Sequence, residues 1–343
     1  MLNTQDQIIT STAQISGNMS ALPAGIIKHP KPLSNHHYML TGSDISPAAQ
    51  LSNNILRGRI DNRDPNKPFV VTAFENHSTI SHIILRTEFL ARFALHKAAQ
   101  PDDKSRDFIY ADELPHNLLS DFITKIPEDH KYRADLYDPD NRILIGAFAD
   151  GFTGSAYAPQ ANRKLFKTCK KYGINTIFND AARINTELHL DPDDPFTRET
   201  AKDNHGINLS DRLIGCEEKD GMSVRNSVMA ARALEAAGNG VIIQGCGLSH
   251  GGNKTDEASP YENSYLKACR ERGAEVTSIF LSEAVNNYTA ENIIPEQALI
   301  DDPNMIIIDG MPKYQGFTFN SYGDRILEGE HSNKHLIDPE MEL

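Results

Sequence analysis

The segment that most constrains the fold is 240–253, with the sequence GVIIQGCGLSHGGN. Its apolar run, 241–243, is bounded by turn-forming residues and predicts a short buried strand of the kind found in parallel sheets. The glycines that follow permit positive φ angles or the close approach of another group. His250 is therefore expected at the carboxyl end of a strand, where open α/β sheets place their ligand sites.

A helix and a further strand are predicted directly after this segment. Ser259, Pro260 and Glu262 form a capping-box signature at the start of a helix, and Gly273 is a typical residue just past a helix end. Residues 274–281, AEVTSIFL, then predict the next strand. The three pieces together form a βαβ unit with a histidine at the end of its first strand.

The rest of the chain repeats this alternation and predicts an α/β fold with a mostly parallel central sheet flanked by helices. Further strands are predicted at 69–74, 142–148, 174–178 and 305–308, and helices follow several of them. Residues 1–66 are expected to form an irregular N-terminal arm or cap, and 67–343 the α/β domain. Residues 101–140 are expected to form surface helices, and a polar insertion is expected near 189–220.

Charge and cysteine content exclude some classes of partner. The chain of 343 residues has a net charge of −13, which repels phosphate backbones and anionic lipid surfaces, so nucleic acid is not an expected partner. No apolar run reaches the roughly 18 residues of a membrane span. Four widely spaced cysteines without a CxxC pair suggest reduced thiols. We expect a cytoplasmic protein, or one secreted by a route that uses no signal peptide.

Ionisable residues follow several of the predicted strands, and parallel strands bring their carboxyl ends to one edge of a sheet. These residues are Glu75 and His77 with His82 in the helix after them, Asp150, Asp180 with Arg183, and His250. Arg225 lies in the first turn of the helix that precedes the 241–243 strand. The alternative is that some of these residues only cap helices or form turns, as Asp150 and Asp180 could.

Three other features favour structural interpretations. Cys246 lacks the small residues two positions before and after it that a nucleophile elbow requires, so a packed thiol is expected. His36 and His37 are adjacent and point in different directions in regular structure, so a solvated loop is expected there. The acidic run at 191–194 lacks the glycine and the distal glutamate of a helix-loop-helix calcium site, which favours a loop.

The candidate residues Glu75, His77 and His250 leave two kinds of chemistry open. They could act as a general base with its orienting partners and activate water. They could instead bind a divalent metal that lowers the pKa of its bound water. The cofactor is therefore either absent or a divalent metal.

The motifs resemble those of the superfamily that groups erythromycin-esterase-like enzymes, ChaN-type haem-binding lipoproteins and TIKI/TraB-type proteins. In that superfamily a "GE.H" motif follows the first strand and a "G..H" motif follows a late strand. The matching segments here are 74–77 (FENH, with Phe74 in place of glycine), His82, 157–159 (YAP), 173–174 (GI), 179–183 (NDAAR), 225–229 (RNSVM) and 247–250 (GLSH).

The resemblance implies hydrolysis of an ester, lactone or amide bond in a small-molecule or peptide substrate. His77 would be the base acting on water, Glu75 would orient it, and His250 would be a second proton-handling group or a metal ligand. Substrate contacts are expected from His82, Asp180, Arg183 and Arg225, and the two arginines would neutralise an anionic substrate or an oxyanion. The alternatives are a haem or metal-ion binding protein, and a toxin or effector module that acts on a host protein.

Overall fold

The computed structural model describes thirteen stretches of the chain. They are 22–41, 46–75, 80–99, 107–116, 165, 168–169, 171–184, 189–252, 261–282, 294, 296–310, 317–319 and 325–327. The predicted strand at 142–148, Asp150, His77 and the predicted cap at 259–260 lie outside these residues. For Glu75, the structure describes the backbone but not the side chain.

The described residues form an α/β fold. The strands are β1 (Ile26–Lys28), β2 (His36–Leu40), β3 (Phe69–Glu75), β4 (Phe108–Pro115), β5 (Asn175–Asp180), β6 (Val241–Gly247), β7 (Glu275–Ser282) and β8 (Ile306–Asp309). The helices are α1 (Ser46–Asp61), α2 (Ile80–Ala98), α3 (Pro195–His205), α4 (Lys219–Ala237), α5 (Tyr265–Glu271) and α6 (Glu296–Asp301). Two short strands, β9 (Phe317–Phe319) and β10 (Arg325–Leu327), pair separately with each other.

Within the part of the chain that the structure describes, the sheet has eight strands in the order β1-β2-β8-β7-β3-β6-β4-β5. Only the edge pair β1–β2 is antiparallel, and the six other neighbouring pairs are parallel. The mostly parallel central sheet flanked by helices, predicted from the sequence, is confirmed.

Both faces of the sheet are covered, which explains why its central strands are continuous apolar runs. All seven residues of β6 are buried. On one face, Ile243 belongs to a core that includes Leu56 of α1 and Phe89 of α2. On the other, Ile242 belongs to a core that includes Met229 of α4 and Tyr265 of α5. Because each side chain that leaves β6 meets a helix layer, the strand is held firmly in the middle of the fold.

The N-terminal segment differs from the expected irregular arm. β1 and β2 belong to the main sheet, and α1 buries Ala48, Leu51 and Leu56 against it. His37 is buried in β2, so the expectation of a solvated loop at His36 and His37 is wrong. Only two of the five residues in β2 are aliphatic, which is why the sequence pattern did not indicate a strand.

Two further segments correct the sequence interpretation. Residues 108–115, expected within surface helices, form β4, which lies between β6 and β5. Within the 189–220 segment, α3 begins at an Asp194 cap, where Asp194 Oδ2 accepts the Thr197 N–H at 2.8 Å. This helix packs on a third small core that includes Leu190 and Ile214.

The βαβ unit after β6 forms with a later helix start than expected. α5 is capped by Ser264, whose hydroxyl accepts the Lys267 N–H at 3.2 Å. Gly273 has a φ of +82° just past the helix end, as predicted, and β7 follows. Among the described helices, none combines the length and apolar character needed to cross a bilayer.

Candidate functional site

The carboxyl ends of four neighbouring strands form a polar edge of the sheet. β3, β6, β4 and β5 are consecutive and parallel, so their carboxyl ends lie side by side. Glu75, the last residue of β3, pairs with Gly247, the last residue of β6. This is the edge at which open α/β sheets bind ligands.

Arg225 of α4 is the centre of a buried ionic cluster at this edge, which we call the Arg225 cluster. Its side chain contacts three carboxylates: Nη2 lies 2.6 Å from Glu113 Oε1 and 2.9 Å from Asp180 Oδ2, and Nη1 lies 2.8 Å from Glu217 Oε1. Burial alone would lower the pKa of Arg225, but the three carboxylates raise it well above its ordinary value. Arg225 is therefore charged and paired within the protein.

Asp180, at the end of β5, is the most deeply buried acid of the Arg225 cluster. Its Oδ2 also accepts from Arg183 Nη2 at 2.7 Å, and its Oδ1 accepts the Ala181 backbone N–H at 2.7 Å. Burial alone would raise the pKa of Asp180, but Arg225 and Arg183 outweigh it and lower the pKa below its ordinary value. The carboxylate is therefore ionised at neutral pH although it is fully buried.

Glu113, near the end of β4, connects the Arg225 cluster to β6. Its Oε2 accepts the Gly247 backbone N–H at 2.6 Å, while its Oε1 lies beside Arg225. The Glu113 side chain is 10% exposed. One carboxylate thus joins β4, β6 and α4 at the point where the three elements meet.

His250 lies in the 3₁₀ turn Leu248–Gly251, immediately after β6, and is fully buried. Its Nδ1 is hydrogen-bonded to Asn226 Oδ1. Asn226 donates its own amide N–H to the Asn263 carbonyl, so its oxygen is the atom that faces the histidine. The imidazole must therefore carry a hydrogen on Nδ1.

The second ring nitrogen of His250 faces the Arg225 cluster. Nε2 lies 2.8 Å from Glu113 Oε1, but the two groups are not aligned for a hydrogen bond. No other residue in the described stretches gives Nε2 a hydrogen-bond partner. The buried Nε2 of His250 therefore lies next to the Glu113 carboxylate without a hydrogen bond to it.

The glycines after His250 fit closely against their surroundings. A Cβ on Gly251 would lie 3.1 Å from the Phe74 ring, and one on Gly252 would lie 2.7 Å from Tyr261 Cα. Gly252 also has a φ of +82°, which side chains with a Cβ rarely adopt. The chain can therefore turn directly over Phe74.

The structure brings together four of the residues singled out from the sequence: Asp180, Arg183, Arg225 and His250. His82 is buried in the first turn of α2. His77 and the Glu75 side chain lie outside the described residues. Arg225 was expected to face substrate, whereas its contacts are with carboxylates of the protein.

Sequence reasoning missed Glu113, Glu217 and Asn226. Glu113 follows the run Phe108–Ala111, a four-residue apolar segment that could have indicated β4 had it not been surrounded by charged residues. Asn226 stands next to Arg225 in the "RN..M" segment, but its role depends on the approach of His250 from β6. Only the fold shows that contact.

The four cysteines are free and buried, as the expectation of reduced, packed thiols requires. Burial raises the pKa of Cys216 to about 11 and the pKa values of Cys169 and Cys269 to about 12. Cys246 is fully buried in the core between the sheet and α4. A thiol in such surroundings is a poor nucleophile.

Among the described residues, one group has the composition and spacing to hold a metal ion. It consists of His29, His37 and Asp309, whose donor atoms lie within 4.8 Å of one another. Asp309 ends β8 and His37 lies in β2, on the other side of β3 from the Arg225 cluster.

Comparisons of the chain with models of known protein families, with curated proteins and with solved structures gave no match.

Proposed function

We propose that the carboxyl edge of β3, β6 and β4 is a hydrolytic site that cleaves an ester, lactone or amide bond in a small-molecule or peptide substrate. The observation that carries the proposal is the arrangement of His250. Its Nδ1 is fixed by Asn226, and its Nε2 lies 2.8 Å from Glu113 Oε1. A histidine that is fixed through one nitrogen and has no hydrogen bond on the other is the arrangement that general acid–base catalysis uses.

In this proposal His250 and Glu113 exchange a proton. Nε2 lies 2.8 Å from Glu113 Oε1, and a small rotation of either side chain would align the two atoms for a hydrogen bond. During the reaction the imidazole would carry on Nε2 the proton that is given to the leaving group.

The proposed reaction uses this proton together with the base suggested by the family resemblance. His77, oriented by Glu75, would take a proton from water as the water oxygen bonds to the substrate carbonyl carbon. The carbonyl π electrons move to oxygen and then return as the bond to the leaving group breaks. His250 would give its Nε2 proton to the leaving alcohol or amine. After the products leave, His77 would release its proton to solvent and His250 would regain one from solvent, so protons and charge balance over the cycle.

The arginines have different parts in this proposal. Arg225 is held by three carboxylates, so it positions Glu113 and Asp180 and does not bind substrate directly. Arg183 lies nearer the surface, with a side chain that is 14% exposed. Although its Nη2 pairs with Asp180 at 2.7 Å, Arg183 would be the cation of the Arg225 cluster that neutralises an anionic substrate group or a developing oxyanion.

Hydrolysis assays on the full chain test the proposal. The probes are p-nitrophenyl acetate and butyrate, aliphatic lactones and p-nitroanilides, at pH 7 to 8. His250→Gln is expected to lower kcat/KM by about 100-fold or more, because general acid–base groups contribute about 10²–10⁴ to rate. Glu113→Gln is expected to lower kcat more than it raises KM, because it acts through His250.

The matched control is His205→Gln. His205 also contacts α4, through a 2.9 Å hydrogen bond between its Nε2 and Ser227 Oγ, but it lies outside the Arg225 cluster. This variant is expected to keep full activity. No hydrolysis of any probe by the wild-type chain would contradict the proposal, as would a His250→Gln variant with unchanged kcat/KM.

A further inference from the structure

His29, His37 and Asp309 form a polar cluster that the hydrolytic proposal does not use; we call it the Asp309 cluster. Asp309 Oδ2 lies 2.6 Å from His37 Nε2 and 3.5 Å from His29 Nε2. The cluster joins the β1–β2 connection, β2 and β8. β7 and β3 separate β8 from β6, so the Asp309 cluster is distinct from the Arg225 cluster.

We propose that the Asp309 cluster binds one divalent transition-metal ion of the Zn²⁺ class. Two imidazoles and one carboxylate are a common three-residue ligand set for such ions, with a fourth position left for water. In a tetrahedral site with metal–ligand bonds of about 2.0–2.1 Å, neighbouring ligand atoms lie about 3.3 Å apart. The 3.5 Å separation of His29 Nε2 and Asp309 Oδ2 is already close to that value.

The cluster is held in place by its neighbours. The rings of His29 and His37 are stacked, with centroids 3.9 Å apart and an interplanar angle of 5°, so one ring must rotate out of the stack for both Nε2 lone pairs to bind one ion. Ser282 donates its hydroxyl hydrogen to Asp309 Oδ1, which leaves Oδ2 facing the two imidazoles. The side chains of His29 and Asp309 are 19% and 20% exposed, so an ion can enter from solvent and retain a water ligand.

His29 can adopt the tautomer that a ligand requires. Its Nδ1 accepts the Lys31 backbone N–H at 3.1 Å and lies 2.7 Å from the Lys31 carbonyl oxygen, to which it can donate instead when an ion binds the Nε2 lone pair. A histidine ligand oriented by a carbonyl acceptor in this way is typical of metal sites.

His37 must change its hydrogen bonds when the ion binds. Its Nδ1 accepts the Leu33 N–H at 3.0 Å, so in the metal-free protein its Nε2 carries the hydrogen that faces Asp309. Coordination replaces this proton with the metal, moves the hydrogen to Nδ1 and releases the Leu33 N–H. Losing one neutral hydrogen bond costs about tenfold in affinity, which the metal–nitrogen bond outweighs.

Metal titrations of the chelator-stripped full chain test this inference. The probes are Co²⁺, followed by its visible absorption, and Zn²⁺, followed by calorimetry and by competition with Co²⁺. The wild type is expected to bind one ion at this site. His29→Ala and Asp309→Asn are each expected to weaken binding by about 100-fold or more, since even the loss of a supporting hydrogen bond costs 10–100-fold.

His36→Ala is the matched control. His36 neighbours His37 in the same strand, but the alternation of β2 places it on the opposite face, where its Nδ1 lies 3.1 Å from the Tyr38 hydroxyl. The control is expected to bind the ion as the wild type does. His250→Gln should also bind it, because the inference does not rest on the proposed hydrolysis.

Two outcomes would overturn the inference. One is that the wild-type chain binds neither probe, which would leave the cluster as a hydrogen-bonded carboxylate–histidine group. The other is that His29→Ala and Asp309→Asn bind as tightly as His36→Ala while their circular dichroism spectra match the wild type.

Discussion

The substitution Asp180→Asn tests whether the Arg225 cluster is a buried, coupled ionic group. Asparagine has nearly the same shape but removes the charge, and its amide nitrogen replaces one oxygen acceptor with a donor. Asp180 accepts from Arg225 through Nε and Nη2 at 2.9–3.2 Å and from Arg183 at 2.7 Å. The new donor would face these guanidinium donors in a place that water cannot reach.

The expected cost is about 3 kcal/mol in the free energy of unfolding. Breaking a buried ion pair by removing one partner costs about 3–5 kcal/mol. We expect a cost at the lower end of this range because Arg225 keeps Glu113 and Glu217 as partners. A loss of this size is large beside the total stability of about 5–15 kcal/mol that is usual for folded proteins.

Glu217→Gln is the matched control, because it removes a carboxylate from the same guanidinium. The Glu217 side chain is 61% exposed, so its pair with Arg225 is screened by solvent and worth less than about 0.5 kcal/mol. Equilibrium unfolding in urea, followed by circular dichroism, measures both variants. Equal losses in the two variants, or a loss below about 1 kcal/mol for Asp180→Asn, would refute the argument from burial.

The pH dependence of the Asp180→Asn difference has a definite sign. The folded-state pKa of Asp180 is lowered below the ordinary 3.8, so its contribution to stability is present above that value. It is lost as the pH falls through the folded-state pKa. The difference between wild type and variant should therefore be constant near neutrality and shrink below about pH 4.

Three smaller predictions follow. Burial and, to a smaller extent, the charges of Arg59 and Lys28 lower the pKa of His36 to about 4. Between pH 6.5 and 4 the unfolded chain therefore binds a proton that the folded chain does not, which lowers the free energy of unfolding as the pH falls. His36→Gln should remove this part of the loss, measured by urea unfolding at each pH. The four buried cysteines should react with a thiol reagent only after denaturation, and fast labelling of the native chain would contradict their burial. Gly252→Ala should lower the unfolding midpoint, because a Cβ there would lie 2.7 Å from Tyr261 Cα; an unchanged midpoint would contradict the tight turn after His250.

The sequence predicted the strands whose buried residues form continuous apolar runs. β3, β6, β7 and β8 all have this pattern, because a strand covered on both faces has no solvent side to carry polar residues. β4 lacks it: Asp112 and Glu113 interrupt its apolar run within a charged stretch. β2 contains two adjacent histidines, one of which is buried because it pairs with Asp309 on a distant strand. Pairing across the sheet cannot be seen in a local pattern.

The candidate site was predicted in the same uneven way. The expectation that residues following parallel strands share one edge of the sheet was enough to predict His250, Asp180 and Arg183 there. It missed Glu113 because it missed β4. It also assigned Arg225 to the substrate, since a lone arginine in a helix turn gives no indication of the three carboxylates that surround it in the fold.

The central claim is that His250 and Glu113 form a proton-transfer pair, and nitrogen NMR of histidine-labelled protein tests it without a known substrate. The His250 signals are identified by their loss in His250→Gln. We expect a protonated Nδ1 in the wild type and in Glu113→Gln, because Asn226 fixes that nitrogen in both. The Nε2 shift is expected to change on Glu113→Gln and to stay unchanged in the His205→Gln control. An unprotonated Nδ1, or an Nε2 shift that does not respond to Glu113→Gln, would contradict the account.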